Sequence, residues 1–280
     1  MSISTSAPRT AAVVAALALA LTACSNAGAD TAADAPATSA AAAGTDTSLA
    51  DVQEAGVLTV GTEGTYRPFS FHTDGSGDLT GYDVEVARAV AEELGVEVEF
   101  EETQWDAIFA GLEAGRFDAI ANQVSITPER EASYEFSAPY TVSTGVVVVP
   151  ADDDSITSFA DLAGKTTAQS LTSNWYTLAE ESSASIEAVE GWAQSVALVE
   201  QDRVDATIND KLTFLDYAQT NDASGLKIAA ETEDQSLSAF AFAKGSTTLA
   251  EAVSEALATL TEDGTLSKIS EKYFGADVSR

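Results

Sequence analysis

From Leu49 onward, short apolar runs alternate with segments whose apolar residues recur every three or four positions, so strands alternate with helices. Leu58-Thr59-Val60-Gly61-Thr62 predicts a strand that runs into a loop punctuated by Gly64 and Pro68. Phe69-Ser70-Phe71 predicts a second strand, and Asp74-Gly75-Ser76-Gly77 a hairpin-like turn. Val86, Ala89, Val90 and Leu94 share one face of a helix that Gly95 closes. Val96–Phe100 alternates as a strand, Trp105–Ala114 reads as a helix and Phe117–Val124 as a strand. Val146–Val149 is an unbroken β-branched run, the mark of a buried strand.

After the break Asp152-Asp153-Asp154-Ser155 a second series begins. Trp175–Glu181, Trp192–Gln201 and Lys211–Gln219 predict helices, with Ser173 as the N-cap of the first. Ile186–Val189, Val204–Ile208, Leu226–Ala230 and Leu237–Ala243 predict strands, and helices over Leu249–Leu260 and Leu266–Tyr273 close the chain. Gly-Arg-Phe-Asp-Ala-Ile-Ala-Asn at 115–122 is echoed by Asp-Arg-Val-Asp-Ala-Thr-Ile-Asn at 202–209. Two similar α/β lobes are expected, each with a strand ending in polar residues: Asn122 to Ser125 in one, Asn209-Asp210 in the other. Ligands of open α/β sheets sit beyond such carboxyl ends.

The residues preceding Leu49 are of another kind. Arg9 and the apolar run Ala11–Leu21 resemble an export signal. The run ends Leu21-Thr22-Ala23-Cys24, as in a bacterial lipoprotein signal, which makes Cys24 the expected lipid-bearing residue; an ordinary cleavage site with a chance cysteine is the alternative. Residues 25–48, almost without large apolar side chains, read as a disordered tether.

Charge and composition narrow the chemistry. The 280 residues carry a formal net charge of −32, which argues against nucleic acid and against electrostatic attachment to anionic lipid. One histidine, His72, and one cysteine, Cys24, leave no material for most His/Cys metal sites or for Ser–His and Cys–His nucleophiles. No cofactor is expected.

Arg130, in Ser125-Ile126-Thr127-Pro128-Glu129-Arg130, offers a planar fork for a carboxylate, beside the hydroxyls of Ser125 and Thr127. A surface turn starting a short helix, with Arg130 paired to Glu129 or Glu131, explains the same residues. Asp210 stands at the matching point of the second series. One cation and one anion from opposite lobes complement the two charges of an α-amino acid, though Asp210 is equally suited to cap the helix that follows. Thr172 and Ser173 open a helix whose amides favour a carboxylate. Tyr66 and Trp105 offer aromatic walls, or plain packing.

Together these motifs resemble the extracellular solute-binding proteins of amino-acid ABC importers. The resemblance rests on Leu58-x-Val-Gly-Thr62 with Tyr66-x-Pro68-Phe69, Gly81-Tyr82-Asp83, Trp105-Asp106-x-Ile108, Gly115-x-Phe117-Asp118, Ser125 to Arg130, Phe136-Ser137-x-Pro139-Tyr140, Leu162-x-Gly164-Lys165 and Asp263-Gly264-Thr265. It implies a two-lobed type II periplasmic-binding-protein fold, each lobe a mixed sheet flanked by helices. Lobe 1 would be 49–149 with 243–280 and lobe 2 150–242, with crossovers near Val149–Asp152 and Ser238–Ala243. It implies a carboxylate role for Arg130 and an ammonium role for Asp210. Pocket positions fall on Glu63, Tyr66, Trp105, Gln123, Ser125 and Ser173. It also implies a monomer, lipid-anchored outside the cytoplasm, that passes an amino acid to a membrane permease with a cytoplasmic ATPase. Leu171 replaces the usual glycine of the 168–175 loop, and that loop with Glu190–Ser195 and Thr207–Asp210 is similar to members that bind cystine. A lyase using Glu63 as general acid, and a sensory lobe, are the competing readings.

Overall fold

The computed structural model describes residues 45–280. The expected signal segment, Cys24 and most of the expected tether lie outside the described residues. The fold begins slightly ahead of expectation: α1 (Ser48–Ala55) starts at Ser48, and Asp46 Oδ2 accepts from the Thr248 N–H at 2.6 Å.

Lobe 1 is built on a mixed sheet whose strands lie in the order β5 (Glu97–Glu102), β1 (Val57–Thr62), β6 (Ala119–Ser125), β14 (Ser236–Ala243) and β7 (Tyr134–Phe136), with β8 (Thr141–Ser143) also on β14. β5, β1 and β6 run parallel, and β14 is antiparallel to β6. A small sheet of β2 (Thr65–Tyr66), β3 (Ser70–His72) and β4 (Leu79–Thr80) sits beside it. Lobe 2 repeats the plan in the order β11 (Ser185–Ala188), β10 (Thr166–Gln169), β12 (Ala206–Asp210), β9 (Gly145–Pro150) and β13 (Leu226–Glu231).

The apolar periods account for the helices. α2 (Tyr82–Leu94) buries Val86 and Val90 as its pattern requires, against α8 (Thr247–Glu262) and α9 (Thr265–Phe274). α3 (Trp105–Glu113) covers the other face of the lobe 1 sheet, where Ile108 and Leu112 meet Phe117 and Ile120. α4 (Pro128–Ser133) is the short helix that the Thr-Pro-Glu-Arg turn allowed; Thr127 caps it. In lobe 2, α5 (Asn174–Glu181), α6 (Trp192–Glu200) and α7 (Lys211–Thr220) flank the sheet.

The crossovers come earlier than the expected boundaries. β9 pairs with β12 and β13, so all of 145–150 belongs to the lobe 2 sheet; β14 pairs with β6, β7 and β8, so 236–243 belongs to lobe 1. The chain passes between sheets at Thr144 and again between Glu231 and Ser236. An apolar run reads alike in either sheet, and only pairing assigns it.

Candidate functional site

The carboxyl ends of both sheets face one cleft. Glu63 follows β1, Asn122 and Gln123 lie in the second half of β6, Gln169 and Ser170 leave β10, and Asn209 lies near the end of β12. All six line a cavity of about 260 Å³. Tyr66, Trp105, Trp175 and Trp192 supply aromatic walls, and Glu190, Ser173 and Gln194 complete much of the remainder. Gly145 makes the placement of Trp175 feasible: a Cβ there would lie 2.4 Å from the indole.

Electrostatically the cavity is acidic, since Glu63 and Glu190 line it and, among the described residues, no Lys, Arg or His does. Burial pushes the Glu63 carboxyl up to about 7, reinforced by Asp106 and Glu190 and partly offset by the hydrogen bond from Asn122 Nδ2 at 2.7 Å. Three cavity-lining residues hold buried polar atoms with no hydrogen-bond partner: Trp105 Nε1, Gln123 Oε1 and Gln169 Nε2. Such atoms are costly unless something else meets them.

Arg130 lies beside this cavity. Its guanidinium sits 5.4 Å from the Trp105 ring centre and 5.3 Å from that of Phe109. Nη1 donates to Ser125 O at 3.0 Å and Nη2 to Thr172 O at 3.2 Å. Desolvation lowers it to about 10, still cationic at neutral pH. Among the described residues no carboxylate pairs with it, neither Glu129 nor Glu131 included.

Asp210 is 3% exposed and caps α7: Oδ1 accepts from Leu212 N–H at 2.8 Å and from the Ser143 hydroxyl at 2.7 Å. Burial raises its carboxyl to about 6 against those two bonds. Its neighbour Asn209, rather than Asp210, appears on the cavity wall.

Of the sequence-derived residues, Glu63, Tyr66, Trp105, Gln123 and Ser173 thus share one cavity. Ser125 and Thr172 meet at Arg130 through their carbonyls, and the Thr172 hydroxyl donates to Asp106 at 2.6 Å. Ser173 caps α5, accepting from Tyr176 N–H at 3.1 Å. In the sequence Asn122 is marked only as part of a polar strand end. Its function in the site is to hold Glu63, accepting from the Glu63 N–H at 2.9 Å while donating to the side chain.

The lobes touch across the cleft. Tyr66 Oη donates to Asn209 Oδ1 at 3.1 Å and lies 3.0 Å from Thr213 Oγ1. Arg67 Nε pairs with Asp216 at 3.4 Å. Both Thr172 contacts cross as well.

Residues 58–276 match the family of bacterial extracellular solute-binding proteins, family 3. The chain belongs to that family. This solute-binding protein is 52% identical over 231 residues to the L-cystine-binding protein TcyA of Bacillus subtilis, covering 82% of this chain and 86% of the relative. Many solved structures share its fold. An ancestral arginine-binding protein bound to arginine is 35% identical with a TM-score of 0.73, over 79% of this chain and 99% of that one. The L-cystine solute receptor of Neisseria gonorrhoeae, unliganded and open, is 48% identical with a TM-score of 0.57, over 83% and 99%. The more similar sequence superposes less well, as expected if the lobes of this solute-binding protein are closed.

Proposed function

We propose that this solute-binding protein captures an amino acid, L-cystine first among them, and delivers it to a membrane permease driven by a cytoplasmic ATPase. One observation carries the reading: a guanidinium that, among the described residues, has no carboxylate partner stands beside a cavity whose walls, among those residues, hold carboxylates and no cation. That is the complement of a zwitterion. Arg130 takes the carboxylate. Asp210 takes the ammonium through Oδ2, which makes no hydrogen bond among the described residues. The similarity to TcyA supports cystine. Ligand would be held between closed lobes and released unchanged on opening.

The protein is further proposed to be anchored at the cell membrane by lipid on Cys24, on the strength of Arg9, the apolar run and Leu21-Thr22-Ala23-Cys24. None of the described helices is long and apolar enough to cross a membrane. Mass spectrometry of the mature N-terminus decides this, and a diacylglyceryl adduct lost in Cys24→Ala is expected.

Calorimetry of the purified protein against the twenty amino acids and L-cystine tests the ligand. Saturable one-to-one heat with cystine is expected; binding of another amino acid alone would replace cystine, and no heat at all would remove the reading. Glu63, held near neutrality, has the proton affinity of a general acid, which is what a lyase would need. That reading predicts turnover of prephenate-like acids, where the transport reading predicts none.

A further inference from the structure

We propose that Asp83, in the first turn of α2, is a positioning residue: it holds the bulged end of β6 and fixes which polar atoms Gln123 presents to the cleft. The inference rests on the amino-acid reading above for its ligand, and on geometry for its mechanism.

Asp83 is fully buried, and no Lys or Arg pairs with it among the described residues. Such a carboxylate is expensive unless its oxygens are occupied. Both are taken by one residue: Oδ2 accepts from the Gln123 backbone N–H at 2.8 Å and Oδ1 from Gln123 Nε2 at 2.6 Å. Gln123 needs that hold, because its φ of 51° lies in the left-handed region that non-glycine residues seldom occupy. The strand register shows why. Val124 pairs with Ala239 and Ile120 with Ala241, so β6 spends four steps where β14 spends two. A bulge of this kind bends a strand and re-aims its side chains.

The side-chain amide is then locked. Nε2 donates to Asp83 Oδ1 and, at 3.0 Å, to Thr141 Oγ1. With the nitrogen committed to two acceptors, the amide cannot turn over. Its oxygen is left without a protein partner, on a residue that lines the cavity. A lone acceptor there favours a ligand N–H, and an ammonium above others. Only a carboxylate at position 83 accepts at both atoms. An asparagine would offer one NH2, which favours the reversed amide and turns a donor toward the cleft.

The test compares L-cystine with 3,3′-dithiodipropionate, the same skeleton without amino groups, by calorimetry on the whole protein. Asp83→Asn should reduce the preference for cystine at least tenfold. Gln123→Met should do the same, and the double variant should add nothing further. Equal loss for both ligands, or additive losses, would overturn the proposal, because a merely structural role weakens both alike. Should Asp83→Asn not fold, Thr141→Val removes the second acceptor and should shift the preference in the same direction; no shift overturns the proposal. If cystine does not bind the wild-type protein, the ligand reading has failed. The positioning role is then judged on the Gln123 side-chain amide signals in nitrogen-15 NMR: they should move in the Asp83 or Thr141 variant, and unmoved signals sink it.

Discussion

A guanidinium set against the Trp105 indole and the Phe109 ring gives up hydration, and Arg130 recovers only two carbonyl bonds for it. A ligand carboxylate would complete the exchange with two charge-assisted bonds. Arg130→Ala should therefore weaken ligand binding by about 2–4 kcal/mol in calorimetry, as for one partner of a desolvated pair. Arg130→Lys should recover part of that, since a point charge cannot grip at two places. Glu63 makes a different prediction. Its carboxyl sits near 7 when the cavity is empty, and a cationic head group beside it would favour the ionised form. Affinity should then fall as the pH drops from about 8 to about 6, and Glu63→Gln should flatten part of that slope. The part that remains would belong to Asp83 and Asp210, which burial also raises, to about 7 and about 6. Arg130 was readable in the chain as a cation just past a strand's carboxyl end, and Glu63 through the resemblance to the family. The work of Asp83 was not, because an acid on an apolar helix looks like a solvated turn until Gln123 is seen against it.

At the level of elements, the caps are what tie helices to the cleft. Ser173 closes α5 from the loop that leaves β10, and Asp210, the last residue of β12, closes α7 directly. Ser173→Ala should cost about 1 kcal/mol of stability, read as a lowered Tm, with a smaller effect on ligand. Asp210→Asn keeps an oxygen for Leu212 N–H and should leave stability nearly intact while weakening amine ligands more than their deaminated analogues; equal weakening would assign Asp210 to capping alone. The long periodic helices were legible because burial on one face enforces the 3.6-residue repeat; α2 matches its expected span, Tyr82–Leu94. The three-residue strands β7 and β8 were not, because so short a run carries no period and exists only through β14.

Taken whole, the molecule stores protons. Glu63, Asp83 and Asp210 all lie above the ordinary values of 4.5 and 3.8, chiefly through desolvation. Each binds its proton more tightly folded than unfolded. Between about pH 4 and pH 7 the folded state keeps protons that the unfolded chain has released, so stability falls as pH rises through that window. The empty protein should melt several degrees higher at about pH 5 than at about pH 8, the reverse of the trend for ligand affinity. Tyr66→Phe removes the hydroxyl that reaches Asn209 and Thr213, and should increase the radius of gyration of the empty protein in X-ray scattering as the open form gains population.

Asp46 and Ser48 grip α8, so the chain enters the fold at lobe 1. Whatever is fastened upstream is therefore tied through the chain to that half. Lobe 2 is continuous with it in the chain only at Thr144 and 232–235, so on opening it is the half that moves relative to the attached one, and a docking partner that spans both would sense occupancy through their relative position.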